Sequence, residues 1–152
     1  MKQPSSSSSI QQIHSIIDNS LSNYSSNLKD FNCRRGLPND IESINQLRHP
    51  LQQQHQLQKG DFLSSYPPHY YFILLEGNKK IIKGIAIWYI GYSTWKGKVM
   101  NLDTLYIIDE PKSQIVEDNE YDILVMERML MNAIIHIAKS FEFSRIVYQV
   151  NS

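Results

Sequence analysis

The spacing of apolar residues divides the chain into segments of two different periods. Residues 69–76 are dense in aromatic and branched side chains and predict a buried β-strand. Gly77, Asn78, Lys79 and Lys80 supply turn chemistry, and residues 81–91 read as a second strand. Residues 92–98 read as a loop and 99–108 as a third strand, so the three form an antiparallel meander. The period then lengthens. Met126, Leu130, Ala133, Ile134, Ile137, Ala138 and Phe141 recur at helical spacing, which predicts a long helix with one buried face. Residues 145–150 form a last strand. Upstream, Phe31, Asn32, Cys33 and Arg34 alternate as a short strand, and Asn39 or Asp40 caps a helix carrying Ile41, Ile44 and Leu47 on one side. Pro50 stops that helix, and residues 52–56 are a polar linker. The order is strand, helix, three strands, helix, strand. It predicts an α+β fold with a mixed, mostly antiparallel sheet and flanking helices.

Residues 1–30 have a different character. A serine run from Ser5 to Ser9 leads into a Gln-, Asn- and Ser-rich stretch, which buries too little apolar surface to offset its ordering entropy. A mostly disordered tail is therefore expected, with the folded domain covering residues 31–152. Ile10, Ile13, Ile16, Ile17 and Leu21 nevertheless fall on one helical stripe, which reads as a transient helix that docks on the domain. Its polar face carries almost no basic charge, which disfavours a membrane-surface helix.

Composition narrows the function classes. The chain has 152 residues, and its 15 basic side chains equal its 15 acidic ones, so no basic excess exists to neutralise nucleic-acid phosphates. No apolar stretch is long enough to span a bilayer, and no secretion signal is visible, so no membrane partner is expected. Cys33 is the only cysteine; a buried thiol in a reducing, cytoplasmic setting is the expectation. The five histidines lack ligand spacing, so no metal site is expected.

Four stretches, in this order, carry a resemblance. They are Cys33-Arg34-Arg35-Gly36-Leu37-Pro38-Asn39-Asp40, the loop Tyr92-Ser93-Thr94-Trp95-Lys96-Gly97-Lys98, the strand Leu102-Asp103-Thr104-Leu105-Tyr106-Ile107, and Arg145-Ile146-Val147-Tyr148-Gln149-Val150. Together they resemble the GCN5-related N-acetyltransferase (GNAT) superfamily, and within it the diamine (spermidine/spermine) acetyltransferases. The resemblance implies acetyl transfer from acetyl-CoA to a primary amine. It implies that the backbone at Leu105, Tyr106 and Ile107 binds the cofactor's acetyl end. It also implies that Asp103 replaces a glutamate linked to amine binding and deprotonation. The alternative for Asp103 is an ordinary surface acid. Trp95 would line a substrate mouth or serve as a packing anchor.

The sequence also departs from that family. The last glycine is Gly97, so the glycine-rich turn that cradles a pyrophosphate is missing. Glu117, Asp118, Glu120 and Asp122 form an acidic patch in its place. The chain stops before the family's further helix and two strands, so no residue is expected to inherit that helix's proton-donating tyrosine. An exposed fifth strand would then invite a second copy or a partner strand. A catalytically inactive binding or dimerisation module, or a truncated copy, is the rival reading.

Overall fold

A computed structural model describes residues 6–26, 28–47, 69–108 and 119–148. Five strands form one sheet in the order β1 (Asn32–Arg35), β2 (Tyr70–Glu76), β3 (Ile82–Ser93), β4 (Gly97–Ile107) and β5 (Arg145–Tyr148). The first four are antiparallel neighbours, and β5 lies parallel to β4. Among the described residues three α-helices, α1 (Ser6–Ser25), α2 (Asp40–Leu47) and α3 (Asn119–Ser140), flank the sheet. The expected α+β fold is the observed one.

The two faces of the sheet have separate cores. Tyr71, Ile73, Leu75, Ala86, Trp88, Met100 and Leu102 pack with α1 and α3. Phe72, Leu74, Ile85 and Ile87 pack with Ile41 and Ile44 of α2. This is the period of two expected of strands, and burial on both faces explains why β2 lacks polar alternation. Gly36 is required by that packing, because a Cβ there would lie 1.9 Å from the Phe72 ring.

The N-terminal segment differs from the sequence expectation. Residues 6–25 are a continuous helix, and Ile17, Leu21 and Tyr24 are buried in the main core. Order therefore starts well before Phe31, and α1 belongs to the domain. Composition understates the segment because few apolar residues suffice when all lie on one face. Each such side chain contributes roughly 1.5–3 kcal/mol when buried. The polar residues also help: the Ser25 hydroxyl bridges both the amide and the carbonyl of Cys33 at 3.0 Å, and Arg35 pairs with Asp18 at 3.0 Å.

α2 is held by charge. The Arg34 guanidinium meets both carboxylate oxygens of Asp40 at 2.9 Å and Glu76 Oε2 at 3.1 Å. Asp40 also accepts the Leu37 amide at 2.8 Å, so it fixes the turn into α2 as well as the ion pair.

The hairpin between β3 and β4 is tighter than the expected loop 92–98. Strand pairing runs to Ser93↔Gly97, and Gly97 takes a positive φ of 79° that favours glycine. Pro50, the linker 52–56, Glu117, Asp118 and residues 149–150 lie outside the described residues, as do the side chains of Leu47, Glu120 and Asp122. Among the described residues no helix is long and apolar enough to cross a membrane, and no three His, Cys, Asp or Glu side chains converge.

Candidate active site

β4 changes its surroundings halfway along. Val99, Met100, Asn101 and Leu102 lie opposite Arg145, Ile146, Val147 and Tyr148 of β5. Beyond Leu102, β4 continues to Ile107 beside β3, and no described strand flanks its other edge.

A β-bulge sits at that point of divergence. Ile87 pairs with Thr104 and Trp88 with Leu102, which leaves Asp103 as the extra residue. The bulge reconciles two apolar runs that are out of phase. Met100 and Leu102 face the α3 core, and so do Leu105 and Ile107, three and five positions after Leu102. A regular strand would have turned the second pair to the opposite face.

The bulge also re-aims the backbone. The Lys98 carbonyl accepts the Ser144 amide, so the even-numbered residues before the bulge direct their peptide groups toward β5. After it, the Ile108 amide donates to the Lys83 carbonyl of the β3 side at 2.9 Å. Peptide groups alternate along a strand, so Thr104 and Tyr106 also face β3, whereas Leu105 and Ile107 face the open edge. Of the three backbone positions implied by the resemblance, Leu105 and Ile107 can reach a ligand there. Tyr106 pairs with Ile85 and contributes no free peptide group.

Side chains complete the edge. Asp103 is exposed, and the Thr104 hydroxyl donates to its Oδ2 at 3.0 Å, which orients the carboxylate without quenching its charge. Tyr148 of β5 stands opposite Leu102, where the two strands part, and is 38% exposed. Burial and the Glu127 carboxylate push its phenol up from the ordinary value. In the sequence, Tyr148 reads only as a residue of the last strand.

Trp95 does not join this group. It is 94% exposed at the hairpin tip, so its side chain anchors nothing among the described residues. Asp103 lies six positions along the strand from Gly97, about 20 Å at the rise of an extended chain. Trp95 and Asp103 of one chain therefore do not line one mouth. Cys33 is buried, and burial pushes its thiol up to about 12, so it stays protonated and is no nucleophile at neutral pH.

No protein-family model and no curated protein matches the sequence. Solved structures do match. The ribosomal-protein-alanine N-acetyltransferase of Brucella melitensis biovar Abortus is similar at a TM-score of 0.58 and 11% identity, over 80% of this chain and 80% of that one. A GNAT family acetyltransferase of Staphylococcus aureus gives 0.57 at 12% identity, over 82% and 89%. An acetyltransferase of Trypanosoma brucei gives 0.58 at 14% identity, over 81% and 84%. At such identities the likeness is one of backbone architecture, and it extends over most of each neighbour. The chain has the fold of the GNAT acetyltransferases.

Proposed function

We propose that this chain transfers an acetyl group from acetyl-CoA to a primary amine of the diamine or polyamine class. The observation that carries this reading is the open edge of β4, where Leu105 and Ile107 present peptide groups that no described strand pairs with. An amide-bearing arm such as pantetheine suits that edge, because it can add to β4 as a short extra strand. Acetyl-CoA supplies an activated acyl group as its thioester. The residues here do the rest. The Leu105 and Ile107 amides would hold the arm and stabilise charge developing on the carbonyl oxygen. Asp103 would attract a cationic amine and accept a proton from it, since an ammonium cannot attack.

The second reading, a non-catalytic binding or dimerisation module, draws on the absence of any glycine after Gly97. β5 ends the described sheet, and a second copy could extend it there. One pair of measurements separates the two. Acetyl-CoA should raise the melting temperature, because a ligand that binds only the folded state stabilises it. Free CoA thiol should then appear when spermidine or a short diamine is added. A melting shift without thiol release supports the module. Absence of any shift at millimolar acetyl-CoA removes the transferase reading.

A further inference from the structure

Asp103 has a role for one nitrogen of an amine substrate, and the remainder of a diamine has no assigned place. We propose that the Tyr70–Tyr89 ring pair and the Asn101 amide hold the second ammonium of a short diamine. This inference rests on the acetyl-transfer reading and names the residues that select a diamine over a monoamine.

The α2 face of the sheet brings these groups together. Ile85 and Ile87 of β3 pack against α2, and strand alternation puts Tyr89 and Gly91 on the same side. Tyr70 also packs against the α2 core, and its ring meets that of Tyr89 at 5.4 Å and 71°. On β4, Thr104 pairs with Ile87 and Asn101 with Tyr89, so both lie on this face. The Thr104 hydroxyl holds the Asp103 carboxylate at 3.0 Å and draws it toward the same side. Asp103 is then a diagonal neighbour of Tyr89, at roughly 7–8 Å. Gly91 completes the arrangement. A Cβ there would lie 2.4 Å from the Asn101 side-chain nitrogen, so the Asn101 amide lies over the glycine, next to Tyr89.

The chemistry of the patch suits an ammonium, which has hydrogens to donate and no acceptor. Two nearly perpendicular tyrosine rings offer it electron-rich faces, and the Asn101 oxygen accepts one of its hydrogens. Direction along β4 agrees. Leu105 and Ile107, which face the acyl donor in the acetyl-transfer reading, lie on one side of Asp103, and Asn101 lies on the other. With its first nitrogen at Asp103, a diamine runs away from the thioester toward the β3–β4 hairpin. Arg145 bounds the site. Ile146 packs into the α3 core, so Arg145 faces the α2 side, opposite Val99. Its positive charge lies beyond Asn101 and opposes a third ammonium, which favours a diamine over a longer polyamine.

The test compares putrescine with butylamine, which has the same carbon chain and one nitrogen fewer, by thiol release from acetyl-CoA. The native protein should show a kcat/KM about tenfold higher for putrescine, the scale of a partly desolvated cation–π contact, chiefly through KM. Tyr89→Leu should remove most of that ratio. Tyr89→Phe keeps the ring and should retain it. Gly91→Ala displaces the Asn101 amide without touching either ring and should lower the ratio in the same direction. General damage slows both amines alike and leaves the ratio unmoved. A native ratio near one overturns the proposal even where Tyr89→Leu fails to fold. An unchanged ratio in Tyr89→Leu, or a ratio lost equally in Tyr89→Phe, also overturns it. Spermidine used better than putrescine contradicts the boundary at Arg145. Absence of thiol release with every amine removes the acetyl-transfer reading itself, whereas release at equal rates removes the diamine site alone.

Discussion

The Tyr24 hydroxyl donates a 2.7 Å hydrogen bond to the Met129 carbonyl, tying α1 to α3 across 105 positions of sequence. Burial pushes the Tyr24 phenol up to about 12, so it remains a donor throughout the physiological range. Tyr24→Phe should cost about 1 kcal/mol, the usual net worth of one such bond. Deleting residues 1–25 removes Ile17, Leu21 and Tyr24 from the core and should cost several times more. Chemical denaturation of both variants measures the difference. Equal stability of the deletion and the full chain would contradict the packing described for α1.

Arg34 and Asp40 give the fold an acid limit. The hydrogen bonds from Arg34 hold the Asp40 carboxyl below its ordinary value, with the Leu37 amide acting in the same direction against burial. A depressed folded pKa means that the unfolded chain binds the proton more readily. The stabilisation is present above the unfolded value of about 3.9 and is lost as pH falls through the folded one. Asp40→Asn should flatten that limb and destabilise the protein at pH 7 by about 1–3 kcal/mol, because Arg34 loses its charged partner. Melting temperatures measured from pH 7 to 3 provide the check.

His14 sets a second window at higher pH. Its folded pKa is lowered, first by burial against Tyr71, then by Arg35 and His69, with Asp18 acting the other way. The unfolded chain therefore gains a proton first. Stability should begin to fall as pH drops below about 6.5 and level off once the folded group also titrates. His14→Phe keeps the edge contact with Tyr71 and should remove this part of the slope.

Proline substitutions test how the bulge aims the backbone. Ile107→Pro removes an amide that faces the open edge, a position a strand can give up. It should abolish the acetyl-CoA melting shift and leave a folded protein. Tyr106→Pro removes an amide that faces β3 and should cost about 3 kcal/mol or more, enough to threaten the fold. Circular dichroism with and without acetyl-CoA distinguishes the two, and the reverse result would refute the assigned register.

Asp103 and Trp95 are both exposed, so replacing either with alanine should change stability by less than about 0.5 kcal/mol. Asp103→Ala should reduce kcat/KM for a cationic amine by at least about tenfold if a partly desolvated charge pair is lost, equivalent to roughly 1.4 kcal/mol. An uncharged aromatic amine should be much less affected, which separates attraction of the cation from general damage.

Element type and order were legible in the sequence because periodicity records which face of each element is buried. Ile41 and Ile44, the run 70–76, and the series from Met126 to Phe141 each carried that record in a few neighbouring positions. The bulge was legible too, in the shift from Met100 and Leu102 to Leu105 and Ile107, but only to a reader who knew that both pairs share one core. The docking of α1 was legible only in part: the stripe from Ile10 to Leu21 marked a transient docking helix, not a continuous one built into the core. Its serines and asparagines describe a solvated chain, and the contacts that order it come from distant partners, among them Met129, Cys33, Arg35 and the sheet beneath. The separation of Trp95 from Asp103, the turning of Tyr106 toward β3, and the placing of Tyr148 at the parting of two strands belong to the same class. Local sequence sets what each residue is disposed to form, whereas the side of a strand left unpaired depends on a neighbour 40 or more positions away, which only chain closure in three dimensions can bring beside it.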